Sequence, residues 1–157
     1  MMRSILTAAI LLTMSGGVTS AAAQAATAVV GKWEIEYARG QRVENDVVTN
    51  IMAKGTITIS QSGDSLLATL EQPPRPDGTP TPTATLSGRI TSGQAVLVQK
   101  QTVQLNMDGQ MHSAEAITTW TLQATGDAMT GSIAREIPSM PMPPRDPSPV
   151  KGTRIKA

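Results

Sequence analysis

Apolar and polar residues alternate with a period of two along most of the chain beyond residue 30. The clearest instance is Gly31-Lys32-Trp33-Glu34-Ile35-Glu36-Tyr37, where Trp33, Ile35 and Tyr37 alternate with Lys32, Glu34 and Glu36. Successive side chains of a strand point to opposite faces, so this segment predicts a strand with one dry and one wet face. Gly55-Thr56-Ile57-Thr58-Ile59-Ser60 repeats the pattern, turns at Ser62-Gly63-Asp64 and returns through Leu66, Ala68 and Leu70 as a hairpin. Thr83 to Ile90 alternates on Ala84, Leu86 and Ile90 and turns at Ser92-Gly93. The next run, Ala95 to Met107, changes parity, with Val96 and Val98 first and then Val103, Leu105 and Met107. A β-bulge near Gln99 to Gln101 is expected to restore one inward face. Asp108-Gly109 reads as a two-residue hairpin turn, and Met111 to Gln123 follows with Ala114, Ala116, Trp120 and Leu122 on one side. Thr125-Gly126-Asp127 then turns into Met129, Gly131 and Ile133. Residues 58–70 and 121–133 match in character, as one strand, Gly-Asp turn, strand form used twice.

Between these strands lie three stretches without clean alternation. Arg39 to Asn50 carries Val43, Val47 and Val48 among polar residues and suits either an irregular strand or a long hairpin tip. Residues 73–82 hold five prolines and residues 138–149 hold six. Proline cannot donate to a strand ladder, so both read as extended, solvated loops. Val150 to Lys156 alternates once more, with Val150, Gly152 and Arg154 on one face. A strand at the end of a chain needs a partner, and the free edge of the Trp33 strand is the natural one. That pairing closes the sheet and removes both edges. The expected fold is therefore all-β, a single antiparallel up-and-down barrel of about eight to nine strands, the last closing on the first.

On these residues the chain resembles the lipocalin-like, or calycin, group of small β-barrels. Gly31-Lys32-Trp33 stands where those proteins carry Gly-x-Trp on the first strand, and the Gly-turned strands after it look like their meander. In that group a basic residue near the end of the barrel packs across the Trp at the closed end. Arg154 in Gly152-Thr153-Arg154 occupies a similar place, with Arg135 a second candidate. The resemblance thus implies a structural plug made by Trp33 and Arg154. It extends as a pattern over residues 29–156, with a Pro-rich connector where the group carries a helix after its last strand.

Composition sets the compartment and excludes some partners. Arg3, an apolar run from Ile5 to Met14 and small residues up to Ala23-Gln24-Ala25 read as an export signal, with cleavage expected after Ala25. Residues 26–157 then form the one domain, expected in the periplasm or outside the cell. The apolar run is too short to span a bilayer, and no later segment is long enough. The chain carries 13 basic and 12 acidic residues, so no strong field draws it to nucleic acid or an anionic surface. Cys is absent, and the core must come from aliphatic residues, Met and the three aromatics Trp33, Tyr37 and Trp120.

Candidate chemistry is sparse. His112 is the only histidine, three residues from Glu115, and a base without a nucleophile and an orienting group gives no catalytic set. Its ordinary reading is a solvated strand residue beside a hairpin. Met140 and Met142, with Met107, Met111 and Met129, offer thioethers suited to Cu(I), but Met is also what fills an aromatic-poor core. Glu34 and Glu36 lie about 7 Å apart by strand rise, within the glycosidase range, but on the solvent face beside Lys32, where salt bridging is the plainer reading. The expectation is no enzyme, no metal and no cofactor.

Barrels of this size either fill with side chains or hold one small ligand. The leading expectation is an exported, non-catalytic binding protein for a small apolar molecule, lined by residues drawn from Trp33, Ile35, Tyr37, Ile57, Ile59, Leu66, Leu86, Leu105, Trp120 and Met129. The alternative is a protein-interaction module, such as a protease inhibitor or accessory domain, with a filled barrel and contacts through the two Pro-rich loops. If Trp33 is buried as the alternation requires, Trp33→Ala should cost about 3–5 kcal/mol in urea denaturation. A variant melting within a degree or two of the parent contradicts that placement.

Overall fold

Alternation becomes eight antiparallel strands and one short helix in the computed structural model, which describes residues 21–140 and 145–157. The helix is α1 (Ala21–Val29), and the strands are β1 (Gly31–Glu44), β2 (Val47–Ser62), β3 (Ser65–Glu71), β4 (Ala84–Thr91), β5 (Gln94–Met107), β6 (Gln110–Thr125), β7 (Ala128–Glu136) and β8 (Ser148–Arg154). Each strand pairs with the next, and β8 returns to β1 from Trp33↔Arg154 to Tyr37↔Val150, so the barrel is closed. Most of the expected export signal, residues 1–20, lies outside the described residues, as does Met142. The expected cleavage point after Ala25 falls within α1. No described helix is long and apolar enough to cross a membrane.

The even alternation puts Trp33, Ile35, Ile57, Ile59, Leu66, Leu86, Leu97, Leu122, Met129 and Val150 fully inside. Outward neighbours such as Glu34, Glu36, Thr58, Thr69 and Ser87 stay exposed. Gly88 on β4 and Gly131 on β7 share the inner face. A Cβ at either would run into the backbone carbonyl of the adjacent strand, Val96 or Thr121, so these strands approach closely where the sheet coils shut.

Two details of strand geometry differ from expectation or settle it. No bulge interrupts β5; its register with β6 runs unbroken from Ala95↔Leu122 to Met107↔Gln110. Ala95 and Leu97 take the interior, Val96 and Val98 sit half-buried outside, and the same inward parity continues through Gln99 and Gln101 to Val103 and Leu105. Polar residues therefore enter the inner face, and no parity change is needed. The one register shift in the β1–β2 pair lies between Ala38 and Gly40. Past the irregularity at Arg39, the stretch to Asn50 is a hairpin extension of β1 and β2. Asn45 and Asp46 turn it with φ of 51° and 62°, the signature of a type I′ turn.

The two ends of the barrel are built differently. One end carries the short turns at 63–64, 92–93 and 126–127, and α1 packs there against β4, β5 and β6. The other carries both Pro-rich segments and the tips of the two long hairpins, β1–β2 and β5–β6.

At the first end the Arg154 guanidinium lies 4.1 Å from the centroid of the Trp33 ring. Its Nη1 donates to the Val30 carbonyl at 2.8 Å and its Nη2 to the Ala28 carbonyl at 2.7 Å, while Trp33 Nε1 donates to Val29 O at 2.9 Å. The last carbonyls of a helix have no partner within it and carry partial negative charge, so a cation and an indole N–H suit this position. Asp127 in the β6–β7 turn adds an ion pair to Lys156 at 2.8 Å and a longer one to Arg154 Nε at 3.7 Å. The hydrogen bond from Lys156 holds the Asp127 carboxyl below the usual carboxylate range.

Gly31 is part of the same device. Its φ of +132° is disfavoured for L side chains, and a Cβ there would sit 2.7 Å from Arg154 Nη1. Gly31→Ala should therefore lower stability by about 1–3 kcal/mol through backbone strain and displacement of Arg154. Urea denaturation compared with a turn-glycine control, Gly63→Ala, separates this loss from a general glycine effect, since the control displaces no side chain.

Candidate functional site at the barrel mouth

The hydrophobic interior ends at the aromatic pair Tyr37 and Trp120, whose ring centroids are 5.2 Å apart at 54°. Trp120 pairs across the sheet with Leu97 on one side and Ile133 on the other. The next inward rung is Gln99, Thr118 and Arg135. Thr118 is the one buried polar residue among those described, and Arg135 Nε donates to its Oγ1 at 3.4 Å. Gln99 donates to Gln101 at 3.3 Å. The mouth is thus polar on the β5, β6 and β7 side, with an aromatic floor.

A gap in the wall opens beside this rung. β8 begins only at Ser148, and its pairing with β1 ends at Tyr37↔Val150, whereas β1 runs on to Glu44 and β7 to Glu136. Between the open edges of these upper halves, which pair only with β2 and β6, lies a cavity of about 400 Å³. Ala38 to Gln41 bound it on β1, Ile133, Arg135 and Glu136 on β7, and Ser148 on β8. The connector closes it with Ile137, Pro138 and Met140, joined by Arg145 and Asp146. Apolar and cationic groups therefore share one wall. Among the described residues, none of Arg39, Arg135 and Arg145 forms an ion pair with a carboxylate.

The floor holds two polar atoms without partners. The Tyr37 hydroxyl and Trp120 Nε1 are both buried and make no hydrogen bond among the described residues. An unsatisfied buried donor costs about 1–3 kcal/mol, which a bound acceptor or water removes. Burial pushes the Tyr37 hydroxyl above its ordinary pKa, and the nearby positive charge of Arg39 partly offsets this.

The residues expected from sequence to line a ligand site lie deeper or elsewhere. Trp33, Ile35, Tyr37, Ile57, Ile59, Leu66, Leu86, Trp120 and Met129 are all at most 3 % exposed and pack into one cluster. Leu105 sits half-buried on the β5–β6 hairpin beyond that cluster. None of the ten borders the mouth cavity. Trp33 and Arg154 meet at the opposite end. Arg135, the second candidate to cover Trp33, stands at the mouth, because β7 runs away from the closed end and carries it to the far rim.

The remaining chemical candidates are dispersed. His112 is exposed opposite Leu105, and Glu115 pairs with Lys100 at 3.8 Å. No group of three or more His, Cys, Asp or Glu residues able to hold a metal occurs among the described residues. Met140 borders the cavity, Met107 and Met111 are exposed on the β5–β6 hairpin and Met129 is in the core, so these thioethers do not converge. Glu34 and Glu36 point outward as expected, but the lysines flanking Glu36 across the sheet are Lys54 and Lys151, and Lys32 makes no ion pair with either glutamate among the described residues.

Sequence reasoning missed Arg39, Gln99, Thr118 and the position of Arg135. The signal was parity: Thr118 shares a face with Ala116 and Trp120, and Arg135 with Met129 and Ile133, so polar residues on an apolar face marked the mouth. Searches of known protein families, of curated proteins and of solved structures found no match to this chain.

Tyr37 is the only tyrosine, so tyrosinate absorbance reports it alone. The unfolded chain releases this proton near the ordinary value of 10.0, whereas the folded protein holds it to higher pH. The folded state then binds more protons, and stability falls as pH rises from about 10 through the folded pKa. An absorbance titration should show a midpoint above that of the urea-unfolded protein, and coincident midpoints would contradict the burial of this hydroxyl.

Proposed function

We propose that the chain is an exported, lipocalin-like, non-catalytic binding protein that takes a small molecule at the open mouth of a largely filled barrel. The observation that carries this reading is the cavity of about 400 Å³ between the upper halves of β1 and β7. Small-molecule sites are concave, mostly apolar and of about this size, with a few polar groups that orient the ligand. Ile133, Ile137, Pro138 and Met140 supply the apolar wall here, and Arg39 and Arg135 supply the polar groups. The lower barrel serves as a stiff support, since its packed interior and the Trp33–Arg154 plug hold β1 and β7 in register below the site.

Export is part of the proposal and rests on the basic start, apolar run and small residues before Ala26. Of α1, Ala26 and Val29 are buried and lie after the expected cleavage point, as do the carbonyls that Arg154 and Trp33 engage. Cleavage after Ala25 therefore keeps the contacts of the plug.

A second reading, a protein-interaction module, draws support from the same end of the barrel. Val47, Val48, Ile51 and Met52 are exposed on the β1–β2 hairpin, and Met107 and Met111 on the β5–β6 hairpin. Clustered exposed apolar residues mark contact surfaces more often than scattered ones do.

Native mass spectrometry of the protein, purified gently from the compartment where it accumulates, separates the two. The expected outcome is a folded species carrying a small molecule that denaturation releases. An empty protein that co-purifies with a larger partner would favour the interaction module.

A further inference from the structure

We propose that the mouth selects a small amphipathic anion, an oxyanion head on a short apolar body; this rests on the binding reading above and names its ligand class. The head is set by the cations that border the cavity. Arg39, Arg135 and Arg145 border the cavity against Glu136 and Asp146, leaving one positive charge in excess. The guanidinium groups make no ion pair with a carboxylate among the described residues, so their charge is not already neutralised. Guanidinium is planar and donates in parallel pairs, the geometry that carboxylate, sulfate and phosphate oxygens accept.

Below the cavity the core holds two unpartnered donors, which do not border it. The Tyr37 hydroxyl and Trp120 Nε1 are buried in the floor without partners. Thr118 and Gln99 complete a rung that is polar where the barrel would otherwise be apolar. The excess positive charge of the arginines disfavours an ammonium group, which brings a like charge.

The body is set by the apolar groups of the same cavity. Ile133, Ile137, Pro138 and Met140 offer apolar surface along the connector side of the same cavity. A volume of about 400 Å³ has room for about a dozen groups the size of a water molecule. An oxyanion with a short alkyl or ring body fits that space.

The test is isothermal titration of the full folded chain with octyl sulfate below its micelle concentration, alongside octanol and octylammonium. Arg39→Gln and Arg135→Gln remove the cations, and Arg89→Gln removes an exposed arginine on β4 as a control for general surface charge. Arg39 and Arg89 are exposed, so their variants should keep the parent melting temperature, while Arg135→Gln loses its hydrogen bond to Thr118 and is compared at a temperature where its melting curve shows it folded. Octyl sulfate should bind, and each mouth variant should weaken it by roughly tenfold or more. Arg89→Gln should leave it unchanged, and octylammonium should not bind. If octanol binds as well as octyl sulfate and neither mouth variant matters, the anion assignment is wrong while the binding cavity stands. An equal loss in Arg89→Gln overturns the assignment as well, because the attraction is then diffuse. If none of the three probes binds and the natively purified protein is also empty, the binding reading falls with it.

Discussion

The cation-π contact between Arg154 and Trp33 is the point on which the rest of the structure depends. It joins three parts of the chain far apart in sequence: the end of α1 through the carbonyls of residues 28–30, the start of β1 through the indole, and the end of β8 through the arginine backbone. A cation over an indole contributes about 0.5–2 kcal/mol, a modest figure by itself. Its importance is topological. An up-and-down sheet has two free edges until its last strand finds its first, and the Trp33↔Arg154 pair stands at the end of that seam. Gly31 explains why the preceding position bears no side chain, since the guanidinium occupies the space a Cβ would need.

From that seam the barrel develops in opposite ways toward its two ends. Around Trp33 the interior is dry and filled, with α1 across the bottom. Past Tyr37 and Trp120 the inward positions turn polar, and the wall between β1 and β7 is left open by the late start of β8. The two facts are linked. A connector of Pro-rich chain cannot pair with β1 or β7, so it leaves their upper halves apart. Side chains facing that gap meet water or a ligand, and polar ones are tolerated there. The plug ties the lower barrel together, and the interrupted seam leaves a cavity in the upper barrel.

Legibility followed the same division. The strands, their turns and the closure of the last strand on the first could be read because alternation has a period of two and the Gly-Asp turns are distinctive. The plug came only from the resemblance that Gly31-Lys32-Trp33 carries, which left Arg135 beside Arg154 as a candidate. The inward face of β5 was misassigned, because Val96 and Val98 look more apolar than the Ala95 and Leu97 pair flanked by Gln99 and Gln101. Hydropathy cannot tell a polar residue facing inward at a mouth from a bulge that rotates the strand. The type I′ turn at Asn45-Asp46 was also missed, since it lacks the glycine that usually marks such turns.

What the sequence by itself determined is the local alphabet: which residues alternate, where the chain turns, and where proline forbids a ladder. These depend on the backbone and on neighbours one or two residues away. Only the tertiary structure, through closure of the barrel, fixes which end is closed, that Arg135 and Arg39 border one cavity, and that Trp120 lies in the last dry rung below Gln99, Thr118 and Arg135. The reason is that closing a sheet brings together residues separated by most of the chain. Their shared surroundings depend on strand direction and register, which no local pattern contains.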